Sequence, residues 1–251
     1  MIRKMLVVLI LGAIIVTTIL FLKQTTNTIT IGEFEAKPHI NVSLDALKIA
    51  ITSSPDDKIH VQMQGYKLKK GMMKLTEEND RFLITEQPSK KKWHENIQLR
   101  SAPTIILQLP QSQSKTLTLN TVDGDSIIQN VTLDAVQVET AAGLVNLNNL
   151  STSNAELRTK DAPLTITKSA IDNLSVKTSA GDVAIQETTG LVHTIETTDG
   201  QISMTEVIEQ PNIHVKSVSG DIVIHYKKSS IIGDRANVLS AESKYGSVVI
   251  E

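Results

Sequence analysis

A four-residue phrase with Thr or Ser first and, with one exception, Gly last recurs through the second half of the chain. It occurs as Thr121-Val-Asp-Gly124, Thr140-Ala-Ala-Gly143, Thr159-Lys-Asp-Ala162, Thr178-Ser-Ala-Gly181, Thr197-Thr-Asp-Gly200, Ser217-Val-Ser-Gly220 and Ser243-Lys-Tyr-Gly246. The last positions of successive phrases lie 19, 19, 19, 19, 20 and 26 residues apart. A unit of about 19 residues cannot bury an apolar face alone, so the repeat predicts units that stack on one another.

The residues on both sides of each phrase alternate between apolar and polar, as in a strand with one buried face. The predicted inward positions before the phrases are Leu117, Leu119, Val136, Val138, Ala155, Leu157, Leu174, Val176, His193, Ile195, Ile213, Val215, Leu239 and Ala241. Those after the phrases are Ser126, Ile128, Val145, Leu147, Leu164, Ile166, Val183, Ile185, Ile202, Met204, Ile222, Ile224, Val248 and Ile250. Only His193 and Ser126 break the pattern. The expected fold is all-β, a single-stranded β-solenoid (β-helix) of 19-residue coils, whose seven coils would stack to about 34 Å.

The phrase itself predicts the turn of each coil. We expect the Thr and Ser hydroxyls to point inward and to bond to the turn or to the next coil, and the glycines to supply positive φ. Ala162, which Pro163 follows, predicts a different turn in its coil. On the outward side, stacking predicts ion pairs Glu139–Arg158, Lys177–Glu196 and Glu196–Lys216 between neighbouring coils.

A long apolar segment precedes this array. Met5–Leu22 holds 18 uncharged residues, enough for a helix of about 27 Å, and Arg3 and Lys4 come before it. The positive-inside rule places the N-terminus in the cytoplasm and the chain after Lys23 outside. The alternative is a cleaved signal peptide, but the span is long for one and no small-x-small cleavage site follows. The sequence predicts an uncleaved signal-anchor, a single-pass transmembrane helix in the cell membrane.

The predicted organisation has three parts: 1–23 as cytoplasmic tip and anchor, 24–116 as a membrane-proximal β region, and 117–251 as the solenoid. Residues 24–116 lack the phrase but keep strand-like alternation, and they are placed to cap one open end of the stack. At the other end, the insertion within 227–238 either folds over the last coil or leaves an end that associates with another copy.

The segment Ile105-Ile-Leu-Gln-Leu-Pro110 and the phrases around Gly124, Gly181 and Gly220 resemble a known bacterial family, the putative-adhesin domain family of unknown function. The resemblance covers about residues 45–251. It implies a β-solenoid behind a single membrane anchor and a location in the cell envelope, and some members belong to Lia-type envelope-stress operons. It implies no catalytic residues.

Charge is divided unevenly along the chain. The net charge is −2, which does not suggest a nucleic-acid partner. Residues 24–116 hold 13 Lys or Arg and 10 Asp or Glu, a balance of +3, whereas 117–251 hold 9 and 17, a balance of −8. Basic residues concentrate in Tyr66–Lys74 and Lys90–His94. They predict either solvated loops or contact with anionic lipid head groups or an anionic wall polymer.

Candidate chemistry is sparse. Six aspartates flank the repeat glycines and would form one edge of the rod: Asp123, Asp125, Asp161, Asp182, Asp199 and Asp221. Asp beside Gly is favourable turn chemistry, and a weak cation-binding or catalytic edge is the alternative. The histidines lack metal-ligand spacing, the chain has no cysteine, and no nucleotide or hydrolase motif is present. The sequence therefore predicts no catalytic, cofactor-binding or metal-ligating residues, and no cofactor.

Together these features predict a non-catalytic extracytoplasmic binding or scaffold module of the cell envelope, in stress response or adhesion. Its expected partners are the membrane and either an envelope protein or an anionic wall polymer. The alternatives are a β-helix enzyme that acts on a wall polysaccharide, and a self-assembling rod.

Overall fold

The computed structural model describes residues 27–66, 68–88, 102–207, 212–226 and 239–251. Its strands are β1 (Asn27–Glu35), β2 (His39–Ser43), β3 (Lys48–Ser53), β4 (Lys58–Gly65), β5 (Met73–Glu77), β6 (Arg81–Glu86), β7 (Thr104–Leu109), β8 (Thr116–Thr121), β9 (Ser126–Thr140), β10 (Val145–Thr159), β11 (Leu164–Thr167), β12 (Ala170–Thr178), β13 (Val183–Gln186), β14 (Val192–Thr197), β15 (Ile202–Val207), β16 (Asn212–Ser217), β17 (Ile222–Tyr226), β18 (Leu239–Ser243) and β19 (Val248–Ile250). A single 3₁₀ turn covers Lys70–Met72. Among these residues no helix is long and apolar enough to cross a membrane. The predicted anchor, Met5–Leu22, lies outside them.

The strands stack in parallel with the predicted repeat. Val145 pairs with Leu164, Leu164 with Val183 and Val183 with Ile202, each step being 19 residues. The steps from Ile202 to Ile222 and from Ile222 to Val248 follow the longer spacings of the last phrases. The all-β solenoid and its register are confirmed.

Two faces of the solenoid carry most of the pairing. The first face contains β6, β2, β8, the C-terminal parts of β9 and β10, and then β12, β14, β16 and β18. The second face contains β7, β3, the N-terminal parts of β9 and β10, and then β11, β13, β15, β17 and β19. Each repeat phrase forms the turn from the first face to the second.

The parallel stack extends across the predicted boundary at residue 116. β2 pairs with both β8 and β6, and β3 pairs with both β9 and β7. The described residues thus form two further coils, β2/β3 and β6/β7, below the seven that carry the phrase. Their order is not the order of the chain, because β2/β3 lies between β6/β7 and β8/β9.

Antiparallel strands end the stack on this side. β5 pairs antiparallel with β6 on the first face, and β4 followed by β1 pairs antiparallel with β7 on the second. Phe34 of β1 packs on the fully buried Phe82 of β6, with ring centroids 4.9 Å apart. These rings close the end of the aliphatic core.

The inward residues form one continuous core. From Leu117 to Ile224, every predicted inward position is buried, including Ser126 and His193, which are both fully buried. Burial stops at the last coil, where Val248 is 39% and Ile250 48% exposed. Alternation therefore identified the inward side correctly from Leu117 to Ile224, whereas the predicted burial of Val248 and Ile250 is wrong because they lie in the last coil of the stack.

The repeat glycines are needed for a reason other than the expected one. Among them only Gly143 has a positive φ, of 88°. A Cβ at Gly181 would overlap the carbonyl oxygen of Ala162 in the coil below, and one at Gly200 would overlap that of Gly181. The prediction of positive φ is wrong for the other glycines, because the constraint is the close approach of stacked turn backbones.

Positive φ occurs instead at another corner of the coil. Asn130, Asn149, Lys168 and Glu187, each 19 residues after the last, have φ between 50° and 56°. The Asn149 Nδ2 donates to the Asn130 Oδ1 at 2.9 Å, so the two amides stack as a ladder. This left-handed corner lets β9 and β10 turn from the second face into a third, short side.

The Thr and Ser column is buried as predicted from Thr121 to Ser217, and Ser243 is half-buried. The Thr121 hydroxyl has no hydrogen-bond partner among the described residues, and the hydroxyls of the coils that follow bond in two ways. In the later coils the hydroxyl accepts from the phrase glycine: Thr178 from the Gly181 N–H at 3.0 Å, and Ser217 from the Gly220 N–H at 2.8 Å. The Thr140 hydroxyl donates to the Ala142 carbonyl at 2.6 Å, and the Thr159 hydroxyl to that of Ala162 at 3.2 Å. The turn that contains Ala162 therefore differs from those of the later coils, as predicted. The turn of the preceding coil, where Gly143 has its positive φ, differs from them in the same way.

Candidate functional site

A groove of about 780 Å³ runs along the first face across β8, β9, β10, β12 and β14. Its walls and floor come from two outward columns at the 19-residue spacing. One column is Thr118, Gln137, Glu156, Ser175 and Thr194, and the other is Thr116, Ala135, Asn154, Asn173 and Val192. Because the columns run along the solenoid axis, the groove presents one row of side chains per coil, about 4.8 Å apart.

The lining combines hydroxyl and amide groups with apolar side chains such as those of Ala135 and Val192. The Asn173 Nδ2 donates to the Asn154 Oδ1 at 3.2 Å and to the Ser153 carbonyl at 3.3 Å. Thr118, Ser175 and Thr194 add hydroxyls at neighbouring levels of the same side. Such a surface can donate to and accept from an extended polar chain at several successive levels.

Charged side chains lie along one margin of this groove. Lys177 pairs with Glu196 at 3.1 Å, as predicted. Arg158 does not pair with Glu139 as expected, but with Glu156, two residues earlier on the same strand. Alternation points both side chains outward from β10, so the long arginine reaches its neighbour in the strand. The charged residues among the groove lining are Glu156, Lys177 and Glu196, which leaves one carboxylate in excess.

Three of the six aspartates beside the repeat glycines, Asp125, Asp182 and Asp221, act in the turns. The Asp125 Oδ1 accepts from the Leu144 N–H at 3.0 Å, Asp182 from the Gln201 N–H at 2.9 Å, and Asp221 from the Ser247 N–H at 2.8 Å. Each carboxylate therefore caps the turn of the coil above. No three His, Asp or Glu side chains within the described ranges are grouped so that they could hold a metal ion.

These contacts lower the pKa of two of the carboxyl groups. The Lys48 ammonium lies 2.6 Å from the Asp125 Oδ2, and this hydrogen bond holds the pKa of Asp125 below its usual value. The backbone N–H and then the hydroxyl of Ser247 lower the pKa of Asp221. Both groups stay ionised as structural acceptors, which accounts for the aspartates at 125, 182 and 221 by turn chemistry.

The family model described as Toastrack DUF4097 matches residues 38–251. The chain belongs to this family. No curated protein matches it. A structure described as a putative lipid binding protein from Parabacteroides distasonis is similar over 91% of this chain and 98% of its own, with 18% identity and a TM-score of 0.58.

Two other solved structures similar to this toastrack chain are described as putative adhesins. One, from Bacteroides fragilis, has 15% identity, covers 91% of this chain and 98% of its own, and has a TM-score of 0.49. The other, from Parabacteroides distasonis, has 15% identity, covers 90% and 96%, and has a TM-score of 0.48. At 18% identity, the likeness to the structure described as a putative lipid binding protein concerns the fold alone.

The toastrack histidines are dispersed. His193 lies in the core, and His39 bonds to the Thr116 hydroxyl at 2.8 Å. The His60 Nε2 lies 2.8 Å from the Asp56 Oδ1, and this contact is the main cause of a lowered Asp56 pKa. His225 lies 3.3 Å from Glu251 at the last coil. His94 and the basic run Lys90–His94 lie outside the described residues.

One carboxylate of the toastrack domain has a role that sequence reasoning missed. The Glu86 Oε2 accepts from three consecutive backbone N–H groups, those of Asp45, Ala46 and Leu47, at 2.8–2.9 Å. This turn of the β2/β3 coil lacks the Thr and Gly of the repeat phrase, and Glu86 from the coil below supplies the missing acceptor. No periodic signal in the sequence marks Glu86, because it lies about 40 positions from the turn whose N–H groups it binds.

Proposed function

We propose that this toastrack domain is a non-catalytic binding or scaffold module of the cell envelope, held outside the membrane by the anchor Met5–Leu22. In this proposal the groove of the first face is the binding surface, and its occupant is an extended polar component of the envelope. The proposal assigns no reaction to the chain. A role in a Lia-type stress operon stays a prediction.

The observation that carries the proposal is the groove itself. It is continuous over five strands, about 780 Å³ in volume, and lined by hydroxyl, amide and charged groups beside apolar side chains such as those of Ala135 and Val192. An apolar cleft would favour a small hydrophobic ligand, and a strongly charged one would favour a polyelectrolyte. A row of neutral hydrogen-bonding groups at regular spacing instead matches a chain with repeating polar groups, such as a wall glycan.

A groove-blocking variant tests this function. Ser175 is half-buried on the floor, and Ser175→Trp would fill the groove without changing any inward residue. Ala184 is an exposed outward residue of β13 on the second face, so Ala184→Trp is the matched control. The intact chain, in detergent micelles, is mixed with purified wall sacculi and sedimented.

We expect the parent chain and Ala184→Trp to sediment with the sacculi, and Ser175→Trp to stay in the supernatant. Equal sedimentation of the two tryptophan variants would contradict the assignment of the groove. Release of soluble glycan fragments by the parent chain would contradict the non-catalytic role and favour a wall-polysaccharide enzyme.

A further inference from the structure

We propose that the exposed lysines Lys69, Lys70 and Lys74, called here the basic rim, dock on anionic phospholipid head groups of the membrane that carries the chain. This inference rests on the anchor of the proposed function. It assigns a second contact surface, separate from the groove, and gives it a partner of defined chemistry.

Strand pairing places the basic rim beside the entry of the chain. The first residue of β1, Asn27, pairs with the last residue of β4, Gly65. Because the two strands are antiparallel, the chain leaves β4 toward the side from which β1 arrives. The segment that follows Gly65 leads through the turn Lys70–Met72 into β5. Lys69 and Lys70 come four and five residues after Gly65, so the chain holds them within about 18 Å of the residue that pairs with Asn27.

The distance from that point to the proposed anchor is short. Five peptide units separate Leu22 from Asn27, and they span at most about 18 Å when fully extended. The start of β1 is therefore held within about this distance of the bilayer surface. At physiological salt the Debye length is about 8 Å, so only charges at this end of the solenoid can interact strongly with the head groups.

Within the described ranges, no side chain neutralises the charge of the rim. Lys69, Lys70 and Lys74 are exposed, and none of their ammonium groups forms a hydrogen bond or ion pair with another residue of those ranges. Glu86 pairs with Met73 across β5 and β6, yet its Oε2 is bound by the backbone N–H groups of the turn after β2.

The neighbours of the lysines suit an interface between water and lipid. Tyr66 is 43% exposed, and Leu68 and Met72 are half-buried against the core. Tyr is common at the level of the head groups, and lysine stems can lie along apolar surface while the ammonium reaches a phosphate. The proximity of the bilayer favours lipid over a wall polymer as the partner. Because the anchor ties the domain to the membrane, the effective concentration of head groups near the lysines is high.

The test uses a single fluorescent probe in the full chain. The chain has no cysteine, so Gly71→Cys gives one labelling site. Gly71 is exposed and a Cβ there would meet no atom within 4 Å, so the fold should not change. Thr198→Cys, in the turn of a distant coil, gives the control probe. Both labelled chains are reconstituted in nanodiscs made with phosphatidylcholine alone or with added phosphatidylglycerol.

We expect the probe at 71 to shift to the blue and lose most of its quenching by aqueous iodide only in discs with phosphatidylglycerol. High salt, or the combined change Lys69→Gln, Lys70→Gln and Lys74→Gln, should abolish both effects. The probe at 198 should not respond.

Equal signals from position 71 in the two discs would overturn the inference, as would a signal that persists in the triple variant. A shift that needs an added anionic wall polymer would overturn it in favour of that polymer. The anchor is checked separately by co-elution of the intact chain with the discs. Failure to co-elute would overturn the proposed anchor and this inference together, whereas co-elution without a shift would overturn this inference alone.

Discussion

The imidazole of His193 occupies the space that a side chain at Gly190 would need. A Cβ at Gly190 would overlap the His193 Nε2 and the carbonyl oxygen of Ile171. That nitrogen lies 3.3 Å from the Ile171 oxygen, to which it donates, while the Nδ1 is buried and has no hydrogen-bond partner in the part of the chain that the structure describes. In the neighbouring coils the position of His193 is held by Leu174 and Ile213. The missing side chain at Gly190 therefore leaves the space that the larger ring of His193 needs in the same coil.

Burial of His193 predicts a pH-dependent stability. Desolvation lowers the pKa of His193 below the usual value of 6.5 for histidine, and the contact with the Ile171 carbonyl opposes this only in part. Because the unfolded chain binds the proton more readily, the contribution of neutral His193 to the free energy of unfolding is fully present above about pH 6.5. It decreases as the pH falls below that value. We expect the free energy of unfolding of the parent chain to fall more steeply from pH 7 to pH 5 than that of His193→Leu. Urea unfolding of both chains at each pH measures the difference, in which the other titrating groups cancel, and parallel curves would contradict it.

A pair of substitutions tests the register of the strands. Val183 is 1% exposed between Leu164 and Ile202, whereas the next residue, Ala184, faces solvent. Val183→Asp brings an unpaired carboxyl group into an aliphatic column, and we expect a loss of about 3–5 kcal/mol or failure to fold. Ala184→Asp should change stability by less than about 0.5 kcal/mol. Thermal melts of the two variants decide the matter, and similar melting temperatures would disprove the register.

The close approach of the turns predicts a second unequal pair. A Cβ at Gly181 would overlap a backbone carbonyl oxygen, which cannot move without shifting the turn of the coil below. We expect Gly181→Ala to cost about 1–3 kcal/mol, as overpacking in a core does. Gly71→Ala adds the same methyl group in open space and should be nearly neutral. Chemical denaturation measures both, and a neutral Gly181→Ala would show that the stacked turns are less closely packed.

The carboxylate of Glu86 predicts a graded series. Glu86→Ala would leave the N–H groups of Asp45, Ala46 and Leu47 without this acceptor, and we expect a loss of about 2–3 kcal/mol. Glu86→Gln keeps one oxygen and should lose less, while Glu77→Ala, on the exposed side of β5, serves as control. Hydrogen exchange of the three amides gives a local readout. Unchanged protection in Glu86→Ala would mean that the turn finds other acceptors.

Alternation and spacing were sufficient to predict the solenoid from residue 117 onward. A one-residue error in register would expose a whole column such as Val145, Leu164 and Val183, so burial strongly determines the pairing. The β2/β3 coil was not recognised, because its turn, Leu44-Asp45-Ala46-Leu47, is completed by a carboxylate from a distant strand. The reason for the glycines also lay beyond the sequence, since it depends on the distance between stacked backbones.

The groove was only partly predictable. Alternation does indicate that Thr118, Gln137 and Ser175 point outward. It does not indicate where the outer surface is concave, which depends on how the small side chain of Ala135 and the bend of β9 shape the face. Similarly, the link between Asn27 and Gly65 that positions the basic rim is a non-local strand pairing without a sequence motif.

The position of β2/β3 between two coils that come later in the chain has a consequence for how the protein folds. From β9 onward each coil closes a loop of 19 to 26 residues onto its predecessor, whereas His39 must find Thr116, 77 residues away. Loop closure over the longer span costs more entropy, and a high contact order slows folding. Although the N-terminal strands leave the ribosome first, their layer cannot close on both sides until Ile128 has emerged. The rod should therefore form from its middle, and the end nearest the N-terminus should be completed late.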